Sequence, residues 1–196
     1  MSRLAEGVTK FQAEALPGLA DRFAELASVQ RPDVLFITCA DSRIDPSLIT
    51  QTKPGELFVL RNAGNIIPPV DHGTCSESAA VEFAVKTLKV SEIIVCGHSD
   101  CGAMAVAHSP SILPELSTLP AWVRQADRAK RAGGDHRTLI RDNVRLQLAN
   151  LRTYPHVRGA EEAGRLSLHG WFYEMGTGDV LALDTGTDEF MPITAP

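Results

Sequence analysis

The sequence predicts an α/β fold with a mainly parallel central β-sheet, flanking helices, antiparallel edge strands and an extended N-terminal helical arm. Three observations carry this prediction: almost continuous apolar runs of strand length, helical patterns between them, and a hairpin pattern near the C-terminus. Strands that alternate with helices favour parallel pairing, because parallel neighbours need a crossover connection. At 196 residues the chain is expected to form a single domain, residues 1–196, with one sizeable core.

Residues 1–28 are expected to form the arm. Between about Glu6 and Ser28 apolar side chains recur at roughly helical spacing, and Pro17 is expected to break the helix in two. An amphipathic arm must bury its apolar face on its own core or on a partner subunit. We expect the arm to lie at an interface between subunits.

The elements after the arm are predicted from apolar runs, capping patterns and turn signals. A capping box at Thr74–Glu77 is expected to start one of the helices. The predicted elements are strands at 33–39, 56–61 and 92–96, helices from the capping box to about residue 88, directly after residue 101 and at 138–151, and a hairpin of 171–175 and 180–184.

Composition excludes several classes of protein. The net charge of -5, without a basic stripe, argues against a nucleic-acid partner. No apolar run approaches the ~18 residues that a membrane-spanning helix needs. The first residues carry charges where a signal peptide has its apolar core, so the sequence predicts a cytoplasmic protein. In a reducing cytosol, metal binding or burial is the expected fate of the four cysteines.

Two short stretches follow predicted buried strands and carry metal-binding side chains. Cys39 and Asp41 are two residues apart, so they point the same way if the strand conformation continues. His98 and Cys101 are three apart, so a turn into a helix brings both to one side. Carboxyl ends of parallel strands form the usual ligand crevice. Two thiolates, an imidazole and a carboxylate suit a tetrahedral zinc site, with one Zn²⁺ expected per subunit.

Arg43 lies where its guanidinium can hold the Asp41 carboxylate through paired hydrogen bonds. Asp41 can therefore either coordinate zinc or pair with Arg43. When it pairs with Arg43, the metal gains the open position that separates a catalytic site from a structural one. We expect activity to rise towards mildly alkaline pH and to fall in acid, where Asp41 stays on the metal.

Other interpretations of these residues remain open at this point. A structural zinc site with four protein ligands is one alternative. A redox disulfide between Cys39 and Cys101 is another, but it leaves Asp41, Arg43 and His98 unexplained.

The same stretches resemble the β-class carbonic anhydrases. CADSR (39–43) and GHSDCGA (97–103) match the two zinc motifs of that family, and RNAGN (61–65), PGELF (54–58) and HGWFYEMGTG (169–178) resemble its further signatures. The resemblance extends from about Gln30 to the terminal hairpin. It implies a homodimer or homotetramer that hydrates carbon dioxide reversibly to bicarbonate and a proton. Cys39, His98 and Cys101 would hold zinc, with Asp41 as a fourth ligand that pairs with Arg43 in the active form.

The resemblance also implies a substrate pocket. Gln30 and Phe58 match residues that line it, the glutamine as a hydrogen-bond donor, and Phe83 and Gly102 join them as substrate-contacting positions. Family members often have a tyrosine at the position of Phe83. Two other functions stay open: hydrolysis of carbon disulfide or carbonyl sulfide on the same fold, and zinc or bicarbonate binding without turnover.

Overall fold

The computed structural model describes residues 2–193, and two compact units divide at Arg31. The first unit, Met1–Arg31, is helical, as predicted for the arm. Helices α1 (Arg3–Lys10) and α2 (Ala20–Leu26) are joined by a π-helical turn and a 3₁₀ turn. The 3₁₀ turn contains Pro17, which interrupts the helix as expected.

The second unit contains a six-stranded sheet in the order β2-β1-β3-β4-β5-β6. The first four strands in this order are mutually parallel, and β5 and β6 add to one edge in antiparallel fashion. This confirms the predicted fold class. The strands are β1 (Val34–Cys39), β2 (Leu57–Asn62), β3 (Glu92–His98), β4 (Ser167–Tyr173), β5 (Val180–Asp184) and β6 (Glu189–Pro192). The helices are α3 (Pro46–Thr50), α4 (Ser76–Phe83), α5 (Gly102–His108), α6 (Thr118–Val123), α7 (His136–Leu151) and α8 (Pro155–Glu162).

Several boundaries differ from the sequence prediction. Helix α4 begins one residue later than expected, because the Cys75 thiol accepts the amide of Ser78 and the Ser78 hydroxyl closes the reciprocal bond. Strand β3 continues beyond the predicted end at Cys96 to His98. The sequence analysis missed β6, α3, α6 and α8, all of which are eight residues or shorter and carry weak periodic signals.

Strands β1 and β3 lie at the centre of the core. Every residue of β1 after Val34 is buried, and so is every residue of β3 after Glu92. The continuous apolar runs arise because both faces of these strands are covered: Leu35 belongs to the cluster on one face, and Phe36 and Ile94 belong to the cluster on the other. The carboxyl ends of the two strands therefore emerge side by side from a rigid core.

Helix α7 packs apolar and polar side chains against the sheet. Its apolar residues Leu139, Val144, Leu148 and Leu151 are all buried. Three buried polar residues on the same helix bind the turn after β2. Asn143 donates to the Gly64 carbonyl at 3.0 Å. Gln147 accepts from the Ile67 amide at 2.9 Å, and Asn150 donates to the Ile67 carbonyl at 2.8 Å. Buried backbone groups without water need such partners, so α7 holds this turn in place. No helix within the described residues is long and apolar enough to cross a membrane.

Candidate metal centre

Three of the predicted ligands meet at the carboxyl ends of β1 and β3. Cys39 is the last residue of β1, His98 is the last of β3, and Cys101 is the N-cap of α5. One donor atom from each lies within 4.8 Å of the other two, and all three residues are buried. The two sulfur atoms are 3.9 Å apart and belong to free thiols, so no disulfide joins them.

The imidazole of His98 is oriented for metal binding. Its Nδ1 lies 2.8 Å from the Ser99 carbonyl, which can only accept, so Nδ1 carries the proton. Its Nε2 is buried and has no hydrogen-bond partner within the described residues. A buried nitrogen with a free lone pair is costly unless something binds it. The unpartnered Nε2, beside two sulfur donors, fits a zinc ion.

The two thiols differ in their pKa values. Hydrogen bonds, chiefly from the Cys101 thiol and also from the Gly64 amide, lower the pKa of the Cys39 thiol. The same contact with Cys39, together with burial, raises the pKa of Cys101 far above its usual value. The pair therefore carries one thiolate near neutral pH, and a bound dication would remove the second proton.

The turn after β2 supports Cys39. The Gly64 amide donates to the Cys39 sulfur at 3.3 Å. Gly64 has a φ of 85°, and a Cβ at this position would lie 2.7 Å from the terminal methyl of Met104. The positive φ favours glycine here, whereas the end of the flexible Met104 side chain can shift to make room for a Cβ. This contact gives the turn a direct role at the Cys39 sulfur.

Asp41 lies beside the three ligands and pairs with Arg43. Arg43 donates to its carboxylate from Nε at 2.9 Å and from Nη2 at 2.7 Å. The nearer oxygen to His98 is 4.0 Å from Nε2. Hydrogen bonds from the Arg43 side chain, together with one from the Arg43 amide, lower the pKa of Asp41 to about 2. Asp41 is therefore an ionised carboxylate next to the metal-binding cluster, held away from it by a fork-shaped partner.

Phe58 and Phe83, two of the four residues predicted to contact substrate, lie apart from these ligands. Phe58 and Phe83 contact each other, with ring centroids 6.0 Å apart, and Phe83 is 43% exposed. Phe58 pairs with Leu35, four positions before the Asn62–Cys39 pair, so it lies about 13 Å back along the strand from the level of Cys39. Gly102, at the start of α5, is exposed next to Cys101, and Gln30 belongs to the N-terminal unit.

Two contacts at the site were missed by the sequence analysis. Arg61 donates to the carbonyls of Cys39 and Asp41, and His136 Nε2 lies 3.0 Å from the Cys101 carbonyl. Arg61 is the last residue of the predicted strand 56–61, but its partners depend on how that strand pairs with β1. His136 precedes the predicted start of its helix at Thr138 and carries no local signal.

The other two cysteines, Cys75 and Cys96, lie outside the centre. Cys96 is buried within β3, and burial raises the pKa of its thiol to about 12, so it is a neutral core residue. Cys75 caps α4.

A cavity of about 620 Å³ opens next to the turn after β2 rather than over the ligands. Asn62, Ala63, Leu116 and Trp122 are among its lining residues, which include none of the three metal-binding side chains. The Trp122 indole donates to the Ala63 carbonyl at 2.8 Å, so the cavity wall and the turn are connected.

Comparisons with known proteins agree with this centre. A family model described as carbonic anhydrase matches residues 34–180. A carbonic anhydrase from Pseudomonas aeruginosa is 44% identical over 202 residues, covering 98% of this chain and 92% of the relative. The structure of the β-carbonic anhydrase CcaA superposes with a TM-score of 0.92 at 39% identity, covering 97% of this chain and 98% of the other. A structure of tetrameric β-carbonic anhydrases from Sordaria macrospora gives a TM-score of 0.76 at 30% identity, covering 92% and 96%.

Replacing a ligand should remove the metal. We expect Cys101→Ser to lower the zinc content from about one ion per chain to less than a tenth of that, because a hydroxyl is a far weaker zinc ligand than a thiolate. Elemental analysis of the purified protein measures this. Cys75→Ser is the matched control: serine is a preferred N-cap, so this variant should keep both its fold and its zinc. Equal zinc loss in both variants, or full zinc content in both, would contradict the assignment of Cys101 as a zinc ligand.

Proposed function

The chain belongs to the β-class carbonic anhydrase family, and we infer from this and from the metal centre that it is a zinc enzyme for the reversible hydration of carbon dioxide. The observation that carries the inference is the orphaned His98 Nε2 beside Cys39 and Cys101, with Asp41 held by Arg43 at the edge of the cluster. A structural site would use all four protein ligands, whereas this arrangement leaves a coordination position for chemistry.

The residues around the metal have separate roles in this proposal. Cys39, His98 and Cys101 hold the zinc ion. When bound, zinc supplies a water molecule acidic enough to yield a nucleophile near neutral pH. Asp41, ionised and fixed by Arg43, accepts a hydrogen bond from that nucleophile and orients it towards carbon dioxide. In acid, Asp41 would leave Arg43 and serve as a fourth protein ligand, which would close the site.

Gln30, Phe58, Phe83 and Gly102 are proposed to form the substrate pocket. Phe58 lies far along β2 from Cys39, while Phe83 exposes its ring. Phe58 and Phe83 are remote from the metal ligands of their own chain. They can still line a substrate pocket if they lie next to the metal ligands of a second copy of the chain. We therefore propose that the pocket is completed across a contact between subunits.

A homodimer or homotetramer also suits the N-terminal unit. Its helices contain no buried residues, and Leu4, Val8 and Phe11 expose apolar side chains at helical spacing. The fungal relatives named above are tetrameric. An exposed apolar stripe of this kind is typical of an interaction surface.

We further propose a cytoplasmic location. All four cysteines are free thiols, two of them metal-binding, and such thiols persist in a reducing compartment.

The oligomer proposal predicts a change in size when the arm is removed. We expect the full chain to sediment as a dimer or tetramer and a variant without residues 2–28 to sediment as a monomer with at least tenfold lower hydration activity, because it loses the pocket residues of its neighbour. Analytical ultracentrifugation and stopped-flow assays measure both quantities. If the full chain sediments as a monomer and still hydrates carbon dioxide, the proposal of a pocket shared between subunits is wrong.

Parallel assays on three gases test the choice of substrate. Carbon disulfide and carbonyl sulfide are also linear and apolar, so the metal centre alone does not separate them from carbon dioxide. We expect the zinc-loaded enzyme to hydrate carbon dioxide at least about a hundredfold faster, as kcat/KM, than it releases sulfide from the other two. Rapid sulfide release with negligible hydration would establish the hydrolase instead. Zinc binding without turnover of any gas would establish a binding protein.

A further inference from the structure

Arg61 connects β2 to the backbone on both sides of Ala40. Its Nε donates to the Cys39 carbonyl at 3.0 Å, and its Nη2 donates to the Asp41 carbonyl at 2.7 Å. Arg61 pairs with Thr38 in the parallel register, so its side chain reaches forward along β1 to the residues that leave the strand. We call these two hydrogen bonds the Arg61 bridge.

The rest of this loop is also fixed. The Ala40 amide donates to the Asn62 carbonyl at 2.8 Å, and the Ile44 amide donates to the Asp41 carbonyl at 3.1 Å. The Ile44 side chain is only 1% exposed, and Asp45 caps α3. The backbone between β1 and α3 is therefore anchored at each end, and the Asp41 carbonyl receives two hydrogen bonds.

The Asp41 carboxylate, by contrast, lies close to both Arg43 and the nitrogen of His98 that would bind the metal. One oxygen lies 2.7 Å from Arg43 Nη2 and 4.0 Å from His98 Nε2, the nitrogen assigned to the metal. With the backbone held, the carboxylate can exchange one partner for the other only by rotation about the side-chain bonds of Asp41. A displaced backbone would require the Arg61 bridge to break.

We propose that Arg61 is a positioning residue for carbon dioxide hydration, which holds the Asp41 backbone so that its carboxylate stays on Arg43 and leaves the metal open. The proposal rests on the exchange of Asp41 proposed above. Arg61 acts through Asp41 and touches neither metal nor substrate.

The two bonds require an arginine. A guanidinium presents several donors in a rigid fork, and here Nε and Nη2 serve carbonyls two residues apart. A lysine ammonium is a single point at the end of a flexible stem and can hold one carbonyl in place less firmly. Lysine at this position therefore separates the fork geometry from the positive charge.

The test compares Arg61→Met, which removes both donors and keeps an extended stem, with Arg61→Lys, which keeps the charge. Arg128→Met is the control, because Arg128 is exposed and its substitution removes the same charge at a position away from the metal centre. In Arg61→Met we expect about a tenfold lower kcat with KM changed less than about twofold, since an interaction that orders the active form is lost. Arg61→Lys should lie between this variant and the wild type.

Two further readouts separate positioning from general stability. In Arg61→Met, zinc content should be unchanged, whereas the visible spectrum of the cobalt(II)-substituted enzyme should shift as Asp41 enters the coordination sphere. Amide hydrogen exchange at residues 40–45 should also accelerate. Arg128→Met should match the wild type in all of these measurements.

Normal kcat and an unchanged cobalt spectrum in Arg61→Met would overturn the role of Arg61, even if hydrogen exchange increased. If Arg61→Met does not fold, the same result in Arg61→Lys would overturn it. Arg43→Ala distinguishes the two hypotheses: full activity in that variant would refute the exchange of Asp41 itself, whereas lost activity there with normal Arg61 variants would refute only the bridge.

Discussion

The parallel pairing of β1 with β3 is the contact on which the metal centre depends. It places the last residue of β1, Cys39, next to the end of β3, where His98 and the turn to Cys101 supply the other donors. The residues are almost sixty positions apart in sequence, and only this register brings them within 4.8 Å. Because both strands are buried on both faces, their ends are rigid, which suits a site that must hold a defined coordination geometry.

Polar contacts around this junction determine what each ligand can do. The Ser99 carbonyl fixes the protonated nitrogen of His98 and leaves the other one free. Gly64 donates to the Cys39 sulfur, and Asn143 on α7 holds the carbonyl of that same glycine. Groups of this kind orient ligands and adjust their basicity. Helix α7 therefore supports the metal centre as well as the core.

Much of the fold and of the metal centre follows from local sequence signals. Continuous apolar runs predicted β1 and β3, and the spacing of Cys39–Asp41 and His98–Cys101 predicted their shared position at the strand ends. Contacts that depend on register between distant segments could not be predicted, such as Arg61 on the Asp41 carbonyl. The buried polar face of α7 was missed for a related reason: Asn143 resembles a solvent-exposed residue until its partner turn is in place.

The proposed activity depends most on Asp41 moving between zinc and Arg43. Crystal structures of the zinc-loaded enzyme in mildly acidic and in mildly alkaline solution test this most directly. In acid, where hydroxide is scarce, we predict that the Asp41 carboxylate coordinates zinc as a fourth protein ligand. In alkali we predict that it pairs with Arg43, as it does here at 2.7 Å, and that the metal keeps only Cys39, His98 and Cys101 from the protein. The same position of Asp41 at both pH values would contradict the account.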